Sequence, residues 1–341
     1  MNKRRWVAVA IAAGLFIFSG VAAAINYGNE AEDALGGFNE LLYGSNELTE
    51  VVVEPGDEDQ RIARIFVEGT IADTGGGGLF SSEGYNHQFF LEQLKQIQAD
   101  ETIAAVLLEV NSPGGGVYES AEIAKEIRKI QALDVPIYVS MKNMAASGGY
   151  YISASADKIF ATDETITGSI GVIMSGINYA GLLEKLGMED MTYKSGALKD
   201  VGSGTREPTA DDKKVMQGFV DSSYNRFVKV VSEGREMPEK TVRKIADGRI
   251  YDGAQALENG LIDELAYPED VLTALQADYK LDHASVIEYE VSATGFANTW
   301  LGSKLAEVQG LKPTESNRML QLLESIGTPN SPKPLYYYGG E

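Results

Sequence analysis

Residues 102–110 form a nearly continuous apolar run, Thr-Ile-Ala-Ala-Val-Leu-Leu-Glu-Val. A run this short and this apolar reads as a strand buried on both faces. Shorter runs of the same kind occupy 61–69, 135–140, 158–161, 165–172 and 260–264, and several are closed or broken by glycine. Between them the spacing changes from two to nearly four. Phe89, Leu91, Leu94 and Ile97 make one helical stripe, and a helix is predicted from Val117 to about Ala132. Residues 146–156 make a helix of small residues that can lie close to a sheet, and 211–234 a long amphipathic helix with Val215, Phe219, Phe227 and Val230 in its stripe. Short helices are predicted over 242–246 and 254–257. Strands alternating with helices define an α/β body.

The ends differ from the middle. Residues 1–5 are basic and residues 6–25 carry no charge. About twenty apolar residues span a bilayer as a helix, and a basic flank stays cytoplasmic, so the remainder is predicted to face outward from the cell membrane. Ala22-Ala-Ala24 resembles a cleavage site, but the span is long for a removable leader, which favours a retained single-pass anchor. Residues 26–59 are acidic, rich in Gly and Asn, and read as a tether; the globular body is expected over 60–293. Residues 294–341 form a weakly patterned extension ending in Tyr336-Tyr-Tyr338, expected to be partly mobile.

Composition narrows the chemistry. There is no cysteine, which removes disulfides, thiolate metal sites and a cysteine nucleophile. The two histidines, His87 and His283, lie at a helix start and in a polar stretch, where a surface role is the default expectation. The net charge of -21 opposes nucleic acid binding. The glycine run at 75–78 lacks the Gly-Lys-Ser/Thr ending of a phosphate loop.

Two stretches carry the candidate chemistry. Ser147 follows an apolar run and precedes Gly148 and Gly149; Asn111-Ser-Pro-Gly-Gly-Gly116 ends the preceding strand. A strand that turns tightly into a helix leaves the first helical amides unpaired. A hydroxyl beside free amides is what acyl transfer requires: an attacking oxygen and donors for the oxyanion. With cysteine absent and histidine disfavoured, lysine is the remaining base, and it works as one only where a dry pocket disfavours its charged form. The segment 193–204 offers Lys194 and Lys199, and sequence physics does not choose between them.

From Arg61 to about Asp282 the chain resembles the signal peptide peptidase A family, membrane-anchored serine peptidases of the Clp-protease/crotonase fold. The motifs that carry the resemblance are 111–116, Ala145-Ala-Ser-Gly-Gly-Tyr150, Thr167-Gly-Ser-Ile-Gly171, 194–203, 247–256 and Gly260-Leu-Ile-Asp263, in that order and spacing. The resemblance implies a superhelix of stacked β-β-α turns, Ser147 as nucleophile and Lys199 as base. It implies backbone N–H groups of Gly114 and Gly148 as the oxyanion hole, and Ser169 as a residue that orients the lysine. A tyrosine often precedes that lysine in the family; here Leu198 does. The resemblance further implies no cofactor, no metal, apolar peptides such as released signal peptides as substrates, and a homo-oligomer. The oligomer expected is an octamer whose sites take serine and lysine from neighbouring subunits.

Three rival readings remain: an acyl-CoA enzyme of the same fold, a non-catalytic membrane scaffold, and a related peptidase aimed at specific membrane proteins. A separate expectation is that the tail through Tyr336–Tyr338 reaches an active site as a self-substrate.

Overall fold

The computed structural model describes residues 48–73, 85–291 and 334–338. The described residues between 50 and 289 belong to one compact unit together with 334–338. The expected anchor at 6–25 and most of the expected extension lie outside the described residues. Among those described, no helix is long and apolar enough to cross a membrane.

The described residues open with β1 (Leu48–Glu54) and β2 (Asp57–Glu68), so a strand occupies part of the stretch expected to be tether. Then follow α1 (His87–Ala99), β3 (Ile103–Ser112), β4 (Gly114–Gly116), α2 (Val117–Gln131), β5 (Ile137–Ala146), α3 (Gly148–Ser153), β6 (Lys158–Ala161) and β7 (Ile166–Gly168). The rest is mainly helical: α4 (Ala180–Lys185), α5 (Ala210–Gly234), α6 (Glu239–Ile245), β8 (Ile250–Tyr251), α7 (Gly253–Glu258), β9 (Glu264–Leu265), α8 (Pro268–Tyr279) and β10 (Ala284–Val291). The last described element is β11 (Leu335–Tyr337).

The main sheet runs β1-β10-β2-β3-β5-β6-β9, and the pairings β10–β2–β3–β5–β6–β9 are all parallel. β3 is central and buried on both faces, as its run of aliphatic residues requires. One face packs Leu107, Tyr138, Phe160 and Val286 against Val271, Leu272 and Leu275 of α8. Neither α8 nor β10 stands out in the sequence, because their apolar positions are interrupted by charge. β7 extends β5 through Ala145↔Thr167 and Ala146↔Gly168, then pairs antiparallel with β8.

In a parallel sheet the carboxyl ends of the strands all emerge at one edge. Here that edge gathers Gly69–Ile71 after β2, 111–116 after β3, Ser147 after β5 and Gly168–Ser169 after β7. Residues far apart in the chain therefore meet at one place.

Candidate active site

Ser147 occupies the corner between β5 and α3 with φ 54° and ψ −113°. Left-handed backbone at a non-glycine residue costs about 1–3 kcal/mol and persists only where the surroundings over-determine it. Those surroundings are visible. The Ser147 N–H donates to the Gly168 carbonyl at 2.8 Å, and the Tyr151 N–H donates to the Ser147 carbonyl at 2.8 Å. Thr167 Oγ1 donates to the Ala145 carbonyl at 2.7 Å, fixing the strand just before the corner. Ser147 is only 1% exposed, yet its Oγ has no hydrogen-bond partner among the described residues. A buried hydroxyl left unpaired by its own chain calls for an explanation.

β4 runs beside this corner and consists of backbone alone. Ile71 holds one edge: its N–H donates to the Gly114 carbonyl at 2.9 Å and its carbonyl accepts from Gly116 N–H at 2.8 Å. Gly114 has φ +95°, and a Cβ there would stand 2.4 Å from the Gly148 nitrogen. The two glycines named from sequence are thus adjacent. Gly148 opens α3, where its N–H has no intrahelical acceptor. The Gly114 N–H, by contrast, donates to Ser112 Oγ at 3.1 Å.

The other edge of β4 carries β11, the described part of the C-terminal extension: Leu335, Tyr336 and Tyr337 pair antiparallel with Gly116, Gly115 and Gly114. Across from β4, Leu335 exchanges two backbone hydrogen bonds with Ile173, at 2.9 and 3.1 Å. The tail is therefore an added strand in a groove between β4 and Ile173, a standard mode of peptide binding. Tyr336 is fully buried. Its ring stacks on Tyr151 (4.8 Å, 23°) and meets Phe227 at 4.7 Å, and its hydroxyl donates to the Ser223 carbonyl at 2.9 Å. Burial pushes its phenol well above the usual tyrosine range. The Tyr336 carbonyl oxygen lies 2.1 Å from where a Gly114 Cβ would be, beside the Gly148 amide.

Ser169 also has positive φ, 48°, and its N–H donates to the Arg249 carbonyl at 2.8 Å. It lines a cavity of about 650 Å³ with Tyr224, Asp247, Tyr337 and Tyr338.

The two lysines separate cleanly. Lys194 Nζ donates to both oxygens of Asp200 at 2.8 Å, so its protons are committed to a carboxylate. Lys199 is exposed in a turn closed by its N–H to the Gly196 carbonyl at 3.1 Å. Its amine makes no hydrogen bond or ion pair among the described residues, and the single chain does not bond it to Ser147. His87, expected at the surface, is instead 2% exposed, with ring nitrogens 2.6 Å from Tyr85 Oη and 3.0 Å from Glu122. Both nitrogens are occupied, which suits a structural role.

Sequence reasoning missed Ile71, Ile173, Tyr151 and Phe227 as groove residues. The triple tyrosine near the end of the chain was the one signal that could have pointed to an aromatic pocket.

A strained serine at a strand–helix corner, beside a helix amide and a groove that takes an added strand, is the arrangement expected of a serine hydrolase that acts on peptides. The model of peptidase family S49 matches residues 129–282. A protein of Enterococcus faecium named as a signal peptide peptidase, SppA, is 58% identical over 344 residues, covering 100% of both chains. Protease 4 of Haemophilus influenzae is 33% identical over 272 residues, covering 79% of this chain and 42% of its own. Among solved structures, a ClpP1 mutant of Listeria monocytogenes covers 61% of this chain and 94% of its own at 15% identity and a TM-score of 0.41, too slight a likeness to carry an argument. The chain belongs to peptidase family S49, and within it to the signal peptide peptidase A branch; it is a serine peptidase.

Proposed function

We propose that this peptidase works through a Ser147–Lys199 dyad, with the two residues supplied by neighbouring copies of the chain, and that it degrades apolar peptides left at the membrane after signal sequences are released. The observation that carries the reading is the buried, unpartnered Ser147 hydroxyl beside the Gly148 amide. A base must reach it, and the chain's own Lys199 is turned to solvent. Lys199 also follows an exposed apolar band comprising Ile177, Leu182, Leu186, Met188, Met191 and Tyr193. Apolar surface of that extent favours a protein partner. A second copy seated there would take the amine out of water, the condition a lysine base needs. Repeated head to tail, such a contact closes into a ring, and we take the assembly to be an octamer. The parallel sheet, with β7 and β8 branching from its main path, suits a stacked β-β-α body of the Clp-protease/crotonase kind. The uncharged segment 6–25 would tether the ring to the outer face of the membrane.

In this mechanism Lys199 of one copy takes the Ser147 proton as Oγ attacks the carbonyl. The Gly148 N–H, joined by Gly114 once its N–H turns from Ser112, donates to the oxyanion, about 3 kcal/mol for each donor. Water activated by the same amine then releases the acyl group. Ser169 stands at the groove to hold the lysine. The tail marks how a substrate lies: its Tyr336–Tyr337 bond is the one presented, and the Tyr151–Phe227 pocket receives the side chain before it. That pocket admits an aromatic ring, which widens the expected preference for small or apolar residues.

The test is to mix Ser147→Ala chains with Lys199→Ala chains. Each variant alone should be inactive on a fluorogenic peptide, the mixture should recover part of the activity, and Lys194→Ala should stay active. Turnover by Lys199→Ala alone would remove the dyad. Mixed assemblies seen by native mass spectrometry but silent in the assay would remove the sharing between copies.

A further inference from the structure

We propose that Arg206 is a positioning residue for the base: it clamps Asp200, the neighbour of Lys199, to the start of α5. The proposal rests on the dyad reading above and adds a residue to it. The segment from Met188 to Pro208 contains no helix or strand, so nothing in its own backbone ladder fixes where Lys199 points. Arg206 supplies the missing constraint. Its Nε and Nη2 donate to the two oxygens of Asp200 at 2.9 and 2.8 Å. Its Nη1 and Nη2 donate to the two oxygens of Asp212 at 2.5 and 3.0 Å. One guanidinium thus engages two carboxylates, each through both oxygens.

Each end of the clamp is itself fixed. Asp212 is 1% exposed and belongs to a capping box: it accepts from Thr209 N–H at 2.8 Å, while its own N–H donates to Thr209 Oγ1 at 3.1 Å. That anchors it to the first turn of a 25-residue helix. Asp200 also takes the Lys194 amine and lets its carbonyl accept from Ser203 N–H at 3.0 Å. Arg206 holds both carboxyls well below the usual carboxylate range. Consecutive Cα atoms are about 3.8 Å apart, so fixing Asp200 confines the Lys199 backbone to within one residue's swing. Only a planar fork makes this pattern; a lysine at 206 offers a point charge and cannot bridge both carboxylates in the same way.

Charge alone does not explain the arrangement. A surface loop that merely needed neutralising would be served by any cation. The double bidentate geometry fixes direction as well as charge, and it does so at the residue next to the proposed base. Misplacing a reacting group by about 1 Å costs on the order of 10²-fold in rate.

The experiment compares Arg206→Lys and Arg206→Ala with the parent in peptide turnover, and repeats Arg206→Ala in the Lys199→Ala background. Expected are a kcat loss of roughly 10-fold for lysine and 10²-fold for alanine, with KM unchanged because the β4 groove is intact. Fluorophosphonate labelling of Ser147 should slow in parallel. In the Lys199→Ala background the second substitution should slow the residual fluorophosphonate labelling of Ser147 no further, since it acts through that amine. Arg206→Lys, which keeps the charge, guards against a variant that fails to fold, and native mass spectrometry checks that assembly persists. A normal kcat in Arg206→Ala, a loss confined to KM, or a further drop in labelling in the Lys199→Ala background would each overturn the proposal. If Lys199→Ala is itself active, the dyad fails first, and that outcome is separately readable.

Discussion

Gly114→Ala is the sharpest single test of the groove. The residue has φ +95°, a backbone that costs alanine about 1–2 kcal/mol. The new methyl would stand 2.1 Å from the Tyr336 carbonyl oxygen and 2.4 Å from the Gly148 nitrogen. Ordinary contact between heavy atoms begins near about 3.5 Å, so both approaches must open by more than about 1 Å. The two costs separate in experiment. Backbone strain is present in the free enzyme and by itself should lower the thermal midpoint by about 2–8 °C, taking roughly 2–4 °C per kcal/mol for a domain of this size, with the contact against Gly148 adding to that loss. The same methyl displaces the oxyanion donor and crowds a peptide in the groove, and should reduce kcat/KM by at least about 10²-fold, or about 2.7 kcal/mol of transition-state stabilisation. A thermal melt and progress curves on a fluorogenic peptide measure the two separately. A variant that melts early yet turns over within about threefold of the parent would refute the placement of the substrate carbonyl between Gly114 and Gly148.

Two further outcomes follow. Replacing Tyr336 with alanine empties the Tyr151–Phe227 pocket at a cost near 3–5 kcal/mol to the tail's hold. The apparent KM for added peptide should then fall with kcat unchanged, while mass spectrometry of the parent shows trimming between Tyr336 and Tyr337; an unaltered KM would mean the tail does not compete. The Arg206 clamp predicts a pH response. Asp200 and Asp212 have folded pKa values depressed chiefly by hydrogen bonds from Arg206, so their contribution is fully present above the unfolded value near about 4 and is lost only as pH falls through the folded values. Amide exchange over residues 196–206, corrected for intrinsic rates, should show constant protection from neutrality down to about pH 4 and loss below it; protection lost by about pH 6 would contradict the clamp.

Much of the architecture could be read from residue order. β3 is a nearly continuous apolar run and β6 a short one behind Lys158, and α5 ends at Gly234 as its stripe indicates. Elements whose apolar residues are sparse or broken by charge were not legible: α8, β10 and the strand at Leu48–Glu54 gain their identity from partners distant in sequence. The corner at Ser147 was legible because its glycines mark a local backbone demand. The groove was not, because Ile71, Ile173 and β11 meet only through the fold. The choice between Lys194 and Lys199 was open for a similar reason: the carboxylate that engages one of them is six residues from it, and only the folded turn shows which amine it takes.

A rail made of three consecutive glycines has no side chains with which to question what lies along it. A peptide laid along β4 would be gripped there by its amide bonds, leaving choice of residue to the Tyr151–Phe227 pocket, so chemical edits to the main chain should matter more than changes of residue outside that pocket. N-methylation or proline opposite β4 would then protect a peptide better than many side-chain replacements. On the proposed reading, that would suit clearing mixed debris better than recognising one cut site in one protein.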